Sequence, residues 1–303
     1  LYFKALLEGL SAMPASTDLT AYDLTQFRAT QQLAYQCVES IAKELKPGIS
    51  EKEAAALMKT WLQDHGVKEW FHEPFAWFGR RTAFEGFDGL RHLRGFNLAF
   101  YPGKTLLAEG MPFILDVAPT LGAYTADVGY SGALGENLVM EQLLDDLMAH
   151  RELIVQQVKQ RLPLSQVSQA VDRLCATQGT LPRHKAYPFE VLAHRVEKLG
   201  TRQTKLALAR FGVRNVATLV KNALITGRRE GWSPLWSSHS RSLHPPTPGL
   251  WAVEPHLGFR GVGAKFEELL VVTETDAYWL DDDLPHVRRW LERGLLTRTE
   301  VTA

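Results

Sequence analysis

The stretch FILDVAPTLGAYTADVGY, residues 113–130, decides how this chain is read. Two apolar-rich runs flank Leu121-Gly122, and glycine supplies the positive φ that a tight hairpin turn needs. A two-residue loop at Leu121-Gly122 would set Asp116 directly opposite Asp127 on one face of the hairpin. Like charges opposed in this way destabilise a bare sheet. A divalent cation between the two carboxylates removes the repulsion and gives the pair a use.

A second hairpin repeats the arrangement. The short apolar run LWAVEP, residues 250–255, precedes the β-prone run EELLVVT, residues 267–273, with Phe259, Arg260 and Gly261 between them. A turn at Arg260-Gly261 sets Glu254 opposite Glu267. Four inward carboxylates in a largely apolar sheet are too costly to be packing groups unless their charge is compensated. Two metal ions sharing the four are the economical solution.

Outward from the hairpins, the periodicity predicts helices. Phe27, Ala34, Val38, Ile41 and Leu45 recur at helical spacing over residues 24–45, with Cys37 on the same stripe as a buried thiol. Pro47-Gly48 stops that helix. Ser50 with Glu53 makes a capping box for the next one, and Gly66 stands where a C-cap belongs. Residues 67–100, dense in aromatics and glycine, suggest short strands and loops. Their aromatics read as core packing, with a wall for an apolar substrate as the other use, and His72 and His92 read as ordinary hydrogen-bonded histidines. A long helix over residues 136–162 buries Leu143, Leu147, Ile154 and Val158, and another follows over residues 165–177. His194 falls in an apolar, extended setting and offers the neutral nitrogen that a carboxylate cage lacks. Residues 222–249 show little periodicity and are a candidate cover over the pocket. A strand over residues 269–273, an acidic turn at Asp281 to Asp283 and a helix over residues 285–295 close the chain.

At 303 residues the chain can bury a large core. Its formal net charge is zero, which argues against nucleic acid or a membrane surface as partner. No run of eighteen apolar residues is present, so no transmembrane helix is expected. The two cysteines, Cys37 and Cys175, and the lack of a secretory signal point to a reducing, cytoplasmic setting. Residues 1–12 read as the remnant of an expression tag, with Met13 as the natural start.

Asp116, Asp127, His194, Glu254 followed by Pro255, and Glu267 six residues before Thr273 together resemble the pita-bread metallohydrolases. These include methionine aminopeptidase, Xaa-Pro aminopeptidase, prolidase and creatinase. The helical opening with its KPGISEKE linker, residues 46–53, is similar too, and the likeness covers residues 25–280. It implies an α/β (α+β) fold in which residues 13–303 form one catalytic domain without the N-terminal domain of prolidase and creatinase. A curved antiparallel sheet with pseudo-twofold symmetry would carry the ligands on its concave face. Two divalent ions (manganese, iron, cobalt or zinc) would be bridged by Asp127 and Glu267. Asp116 would complete one ion, and His194 with Glu254 the other.

The implied chemistry is hydrolysis of an amide or peptide C–N bond in a small molecule or short peptide by hydroxide generated between the ions. Glu254 would act as proton shuttle, and His92, Arg195 and His256 would contact substrate. Several positions depart from the family pattern. His194 is flanked by Ala193 and Arg195 rather than by glycines. Phe100 and Tyr101 stand in the window of the usual substrate-facing histidine. Gly129, Tyr130 and Ser131 replace the usual Thr-Arg-Thr. The metal cage is kept while the surrounding shell is altered. A lyase reaction or an iron-dependent oxidation of an apolar molecule is therefore the alternative, with a non-catalytic binding protein behind it. A homodimer is allowed but not specified.

Overall fold

The computed structural model describes residues 19–85, 87, 98–200, 207–208, 210–212, 231–239 and 242–297. Residues 1–12 and His92 lie outside them. Helix α1 (Ala21–Glu44) and helix α2 (Glu51–Asp64) open the chain, each started by a capping box, Thr20 with Asp23 and Ser50 with Glu53. Gly66, at φ +89°, follows the end of α2 as the sequence predicts. Next come strands β1 (Glu69–Phe78), β2 (Pro112–Leu121), β3 (Tyr124–Thr125) and β4 (Val128–Ala133). Helix α3 (Leu138–Lys159) and helix α4 (Leu164–Thr177) separate these from β5 (Leu181–Pro182), β6 (Ala193–Val196), β7 (Ala207–Leu208), β8 (Phe211–Gly212) and β9 (Leu235–Trp236). The chain closes with β10 (Gly249–Val253), β11 (His256–Phe259), β12 (Val262–Lys265), β13 (Glu268–Val272), β14 (Ala277–Trp279) and helix α5 (Pro285–Glu292).

The described strand pairs are all antiparallel. One sheet runs β3-β2-β1-β8-β7, with β4 also on β2; a second runs β14-β13-β10-β6-β9; a third runs β12-β11-β5. Together they form a curled half-barrel. One hydrophobic cluster joins Val38 and Ile41 of α1 and Met58 of α2 to Leu115 of β2. It continues through Leu143 and Ile154 of α3 to Trp290 of α5. The stripe of Leu143, Leu147, Ile154 and Val158 is buried as its spacing predicts, and so is Cys37.

The first hairpin differs from expectation. Its loop is Gly122-Ala123, because Leu121 pairs with Tyr124 and Thr120 with Thr125. Gly122 takes φ +65° at the first loop position. Asp116 therefore faces Gly129, not Asp127. The two aspartates remain on one face, as diagonal rather than direct neighbours. The ladder between β3 and β4 is interrupted opposite Pro119, which lacks a backbone N–H and only accepts, from Ala126 N at 3.2 Å.

The second hairpin matches expectation. Arg260 and Gly261 form the turn with φ values of +48° and +81°, both in the left-handed region that a primed hairpin turn requires. His256 pairs with Lys265, and further along the same ribbon Val253 pairs with Glu268. That register sets Glu254 across from Glu267.

Residues 67–78 are more regular than their composition suggests, since β1 is a ten-residue strand. Its pairing with β2 slips between His72 and Phe75, next to Pro74. The described part of residues 222–249 is not simply a cover: β9 extends the second sheet by pairing with β6, and Trp236 is fully buried. Among the described residues no helix is long and apolar enough to cross a membrane.

Candidate metal centre

Alternation along strands sorts the functional side chains. On the segment running from β12 into β13, Lys265 and Glu267 point to the concave face. Phe266 and Glu268 point to the helical layer, where Phe266 stacks on His286 and Glu268 pairs with Arg151. Tyr35 of α1 anchors the segment by donating to the Glu267 carbonyl at 2.8 Å. On the facing half, His72 of β1 lies across from Ala118 of β2.

The structure brings Asp116, Asp127, His194, Glu254 and Glu267 together, all buried. Two further residues join them. His72 Nε2 lies 3.1 Å from Asp116 Oδ1 and 3.1 Å from Asp127 Oδ1. Lys265 Nζ donates to Asp116 Oδ2 at 2.7 Å, Glu267 Oε2 at 2.9 Å and Glu254 Oε2 at 3.0 Å. His194 Nε2 faces Asp127 Oδ2 at 3.3 Å and Glu267 Oε1 at 3.9 Å. The result is a closed circuit in which acidic and nitrogen groups alternate.

Both imidazoles are oriented in the same manner. His72 Nδ1 donates to the Glu73 carbonyl at 2.9 Å, and His194 Nδ1 to the Arg195 carbonyl at 3.3 Å. A carbonyl only accepts, so each Nδ1 carries a proton, and each Nε2 is turned into the cage toward carboxylates that also accept. Phe71 stacks on His194 with ring centroids 5.1 Å apart, and Phe75 and Phe211 flank His72.

Burial and mutual charge set the protonation. Burial opposes a charge on His72, but Asp127 and Asp116 outweigh it and hold the imidazole well above its usual range. Burial opposes the His194 charge too, and its hydrogen bond to Asp127 raises it. Burial works against ionisation of Asp127, yet the two histidines pull its carboxyl below the ordinary range. Burial raises Glu254, with Lys265 acting in the opposite sense. Glu267 is raised well above its usual value by burial and then by repulsion from Asp127 and Glu254. Lys265 is held well above its ordinary value, because Asp116, Glu254 and Glu267 outweigh its burial.

Ligand atoms of Asp127, His194 and Glu267 lie within 4.8 Å of one another, as do those of His72, Asp116 and Asp127. Carboxylates plus imidazole suit a divalent ion, so the first group fits a metal. The region around Asp116, Glu254 and Glu267 already holds an ammonium.

The other candidates from sequence lie apart from the cage chemistry. Arg195 points to the opposite side of β6, where it donates to Glu197 Oε1 at 3.0 Å and sits between the rings of Trp232 and Trp251. His256 donates from Nε2 to the Thr82 carbonyl at 2.8 Å, and burial, reinforced by Lys265, pushes its pKa well below the usual value. The missed residues are His72 and Lys265. The signal for Lys265 was its position two residues before Glu267 on an extended segment; the signal for His72 was a strand beginning at Glu69.

A curled antiparallel half-barrel with a carboxylate–imidazole cage on its concave face defines a pita-bread protein. The sequence pattern of metallopeptidase family M24 matches residues 25–274, and the chain belongs to that family. No curated protein matches it. Among solved structures, it is similar to an X-Pro aminopeptidase from Thermotoga maritima MSB8, at 15% identity and TM-score 0.63, covering 88% of this chain and 63% of that one. It is similar to the prolidase from Pyrococcus furiosus at 14% identity and TM-score 0.59, covering 86% and 64%. The His243Ala form of Escherichia coli aminopeptidase P matches at 14% identity and TM-score 0.56, covering 86% and 55%. This chain thus spans less than two thirds of the length of these relatives, and likeness at such identities establishes the fold.

Proposed function

We propose that the protein is a metal-dependent hydrolase that cleaves an amide or peptide C–N bond of a small molecule or short peptide at this cage. The observation that carries the reading is the convergence of Asp127, His194 and Glu267 ligand atoms within 4.8 Å, buried on the concave face of a family M24 fold. These three residues would hold a divalent ion; manganese, iron, cobalt and zinc all suit the donors. Such an ion supplies Lewis acidity to a substrate carbonyl and acidifies water. Glu254, whose carboxyl burial raises above its ordinary range, acts as proton shuttle to the leaving nitrogen. Phe211 packs against Phe71 and Phe75 and makes the surface beside the two imidazoles apolar. The buried, unpaired Cys37 and Cys175 fit a cytoplasmic setting.

The test is turnover of Xaa-Pro dipeptides and small amides by chelator-stripped protein reloaded with each metal, beside Glu254→Gln. Metal-dependent hydrolysis, with kcat lost in the variant and binding kept, is expected. Bound metal without hydrolysis of any C–N substrate would contradict the reading.

A second reading rests on Lys265 and the aromatic rings beside His72 and His194: the same site running a lyase reaction or an iron-dependent oxidation. Product analysis with and without oxygen separates oxidation from hydrolysis.

A further inference from the structure

We propose that the Lys265 ammonium is a resident cation filling one of the two cation positions of the cage, so that each chain binds one divalent ion and not two. This rests on the cage being a metal centre, as argued above.

The occupied position is identified by its neighbours. A second ion would share Asp116, Asp127 and Glu267. Lys265 Nζ already donates to Asp116 Oδ2 at 2.7 Å and to Glu267 Oε2 at 2.9 Å. Its third contact goes to Glu254 Oε2 at 3.0 Å, so the three N–H donors meet three carboxylates. The remaining oxygens of that position, Asp116 Oδ1 and Asp127 Oδ1, both face His72 Nε2 at 3.1 Å, so the imidazole and the ammonium together occupy it. Left open to a metal are His194 Nε2, Asp127 Oδ2 and Glu267 Oε1.

The seat is built for this lysine. Gly129 faces Asp116 across β2 and β4, and a Cβ there would overlap the Lys265 side chain. Ser131, two residues on, receives the Lys265 backbone N–H and donates to its carbonyl, each at 2.8 Å. The Tyr187 ring covers the ammonium, with its centroid 5.1 Å from Nζ. Thus Gly129 and Ser131, which replace the family's usual residues after the second aspartate, form the channel and the clamp for Lys265.

The experiment counts metal. The full chain is stripped with chelator, dialysed against excess cobalt(II) or manganese(II), and measured by elemental analysis and native mass spectrometry beside Lys265→Ala. One ion in the wild type and two in the folded variant are expected. Two ions in the wild type would overturn the inference and leave the hydrolase reading intact. None would overturn both. A folded variant still holding one ion would overturn the role of Lys265. Should Lys265→Ala fail to fold, 15N NMR of lysine ammonium groups in the zinc-loaded wild type decides. A slowly exchanging signal from the buried ammonium is expected, and its absence would contradict the proposal.

Discussion

His72 and His194 stand on different sheets and turn Nε2 toward the same carboxylate, Asp127, at 3.1 and 3.3 Å. Each is held by a hydrogen bond from Nδ1 to the carbonyl of the next residue. Asp127 is thereby fixed from two sides before any ion arrives.

This arrangement predicts how the two histidines differ. On the proposed reading His194 would ligate the ion, while His72 would position Asp127. Replacing His72 by Ala should weaken divalent-ion binding by about 10–100-fold, the usual cost of removing a group that orients a ligand. His194→Ala should abolish measurable binding. Isothermal titration with manganese or zinc reads both, and equal losses in the two variants would remove the distinction.

Arg195 is predicted to support the fold without holding substrate. Its guanidinium is enclosed by Trp232 and Trp251 and pairs with Glu197. Arg195→Met should lower unfolding free energy by about 2–4 kcal/mol, since the half of the pair that remains is a carboxylate with little access to water. KM for any carboxylate-bearing substrate should be unchanged in the folded fraction. A large rise in KM would restore a substrate-binding role.

Behind the cage, Arg151 forms a bidentate pair with Glu268, at 2.7 and 3.1 Å, and His286 Nε2 adds a contact at 3.0 Å. Glu268 follows Glu267 directly, so this network fixes the start of β13 next to a cage residue. Arg151→Met should destabilise by about 3–5 kcal/mol, because it strands a buried carboxylate. Denaturant midpoints check this, and a shift under about 1 kcal/mol would show that the pair is dispensable.

His150 gives a pH dependence of definite sign. Burial between α3 and α4 pushes its imidazole down from 6.5 to about 4, although Gln178 lies 2.8 Å from Nε2. Between those values the unfolded chain binds the proton and the folded chain does not. Its contribution is therefore present above pH 6.5 and is lost as pH falls toward 4, by up to about 3 kcal/mol. His150→Gln should flatten the stability profile over that interval. Parallel profiles for variant and wild type would contradict the shift.

Local signals carried most of the architecture. The capping boxes, the α3 stripe and the Arg260-Gly261 turn each depend on neighbours within a few residues, which is the range over which sequence patterns speak plainly. The first hairpin register did not, since Leu121-Gly122 and Gly122-Ala123 are equally good two-residue loops by composition. The same-face relation of Asp116 and Asp127 survived because the change of register preserved parity. His72 and Lys265 escaped for another reason. Their role depends on two sheets curling toward each other, and a lone histidine or lysine in an apolar run has no local mark of what it will face. The glycine at 129 was visible as a departure, but its meaning required its partner across the cage.

The most direct measurement of the central claim is anomalous diffraction from a crystal soaked in manganese(II). The account predicts one peak in the cage, within coordinating reach of Asp127, His194 and Glu267, with Lys265 still bonded to Asp116. No peak there, or a peak reached only after His194 turns away, would contradict it.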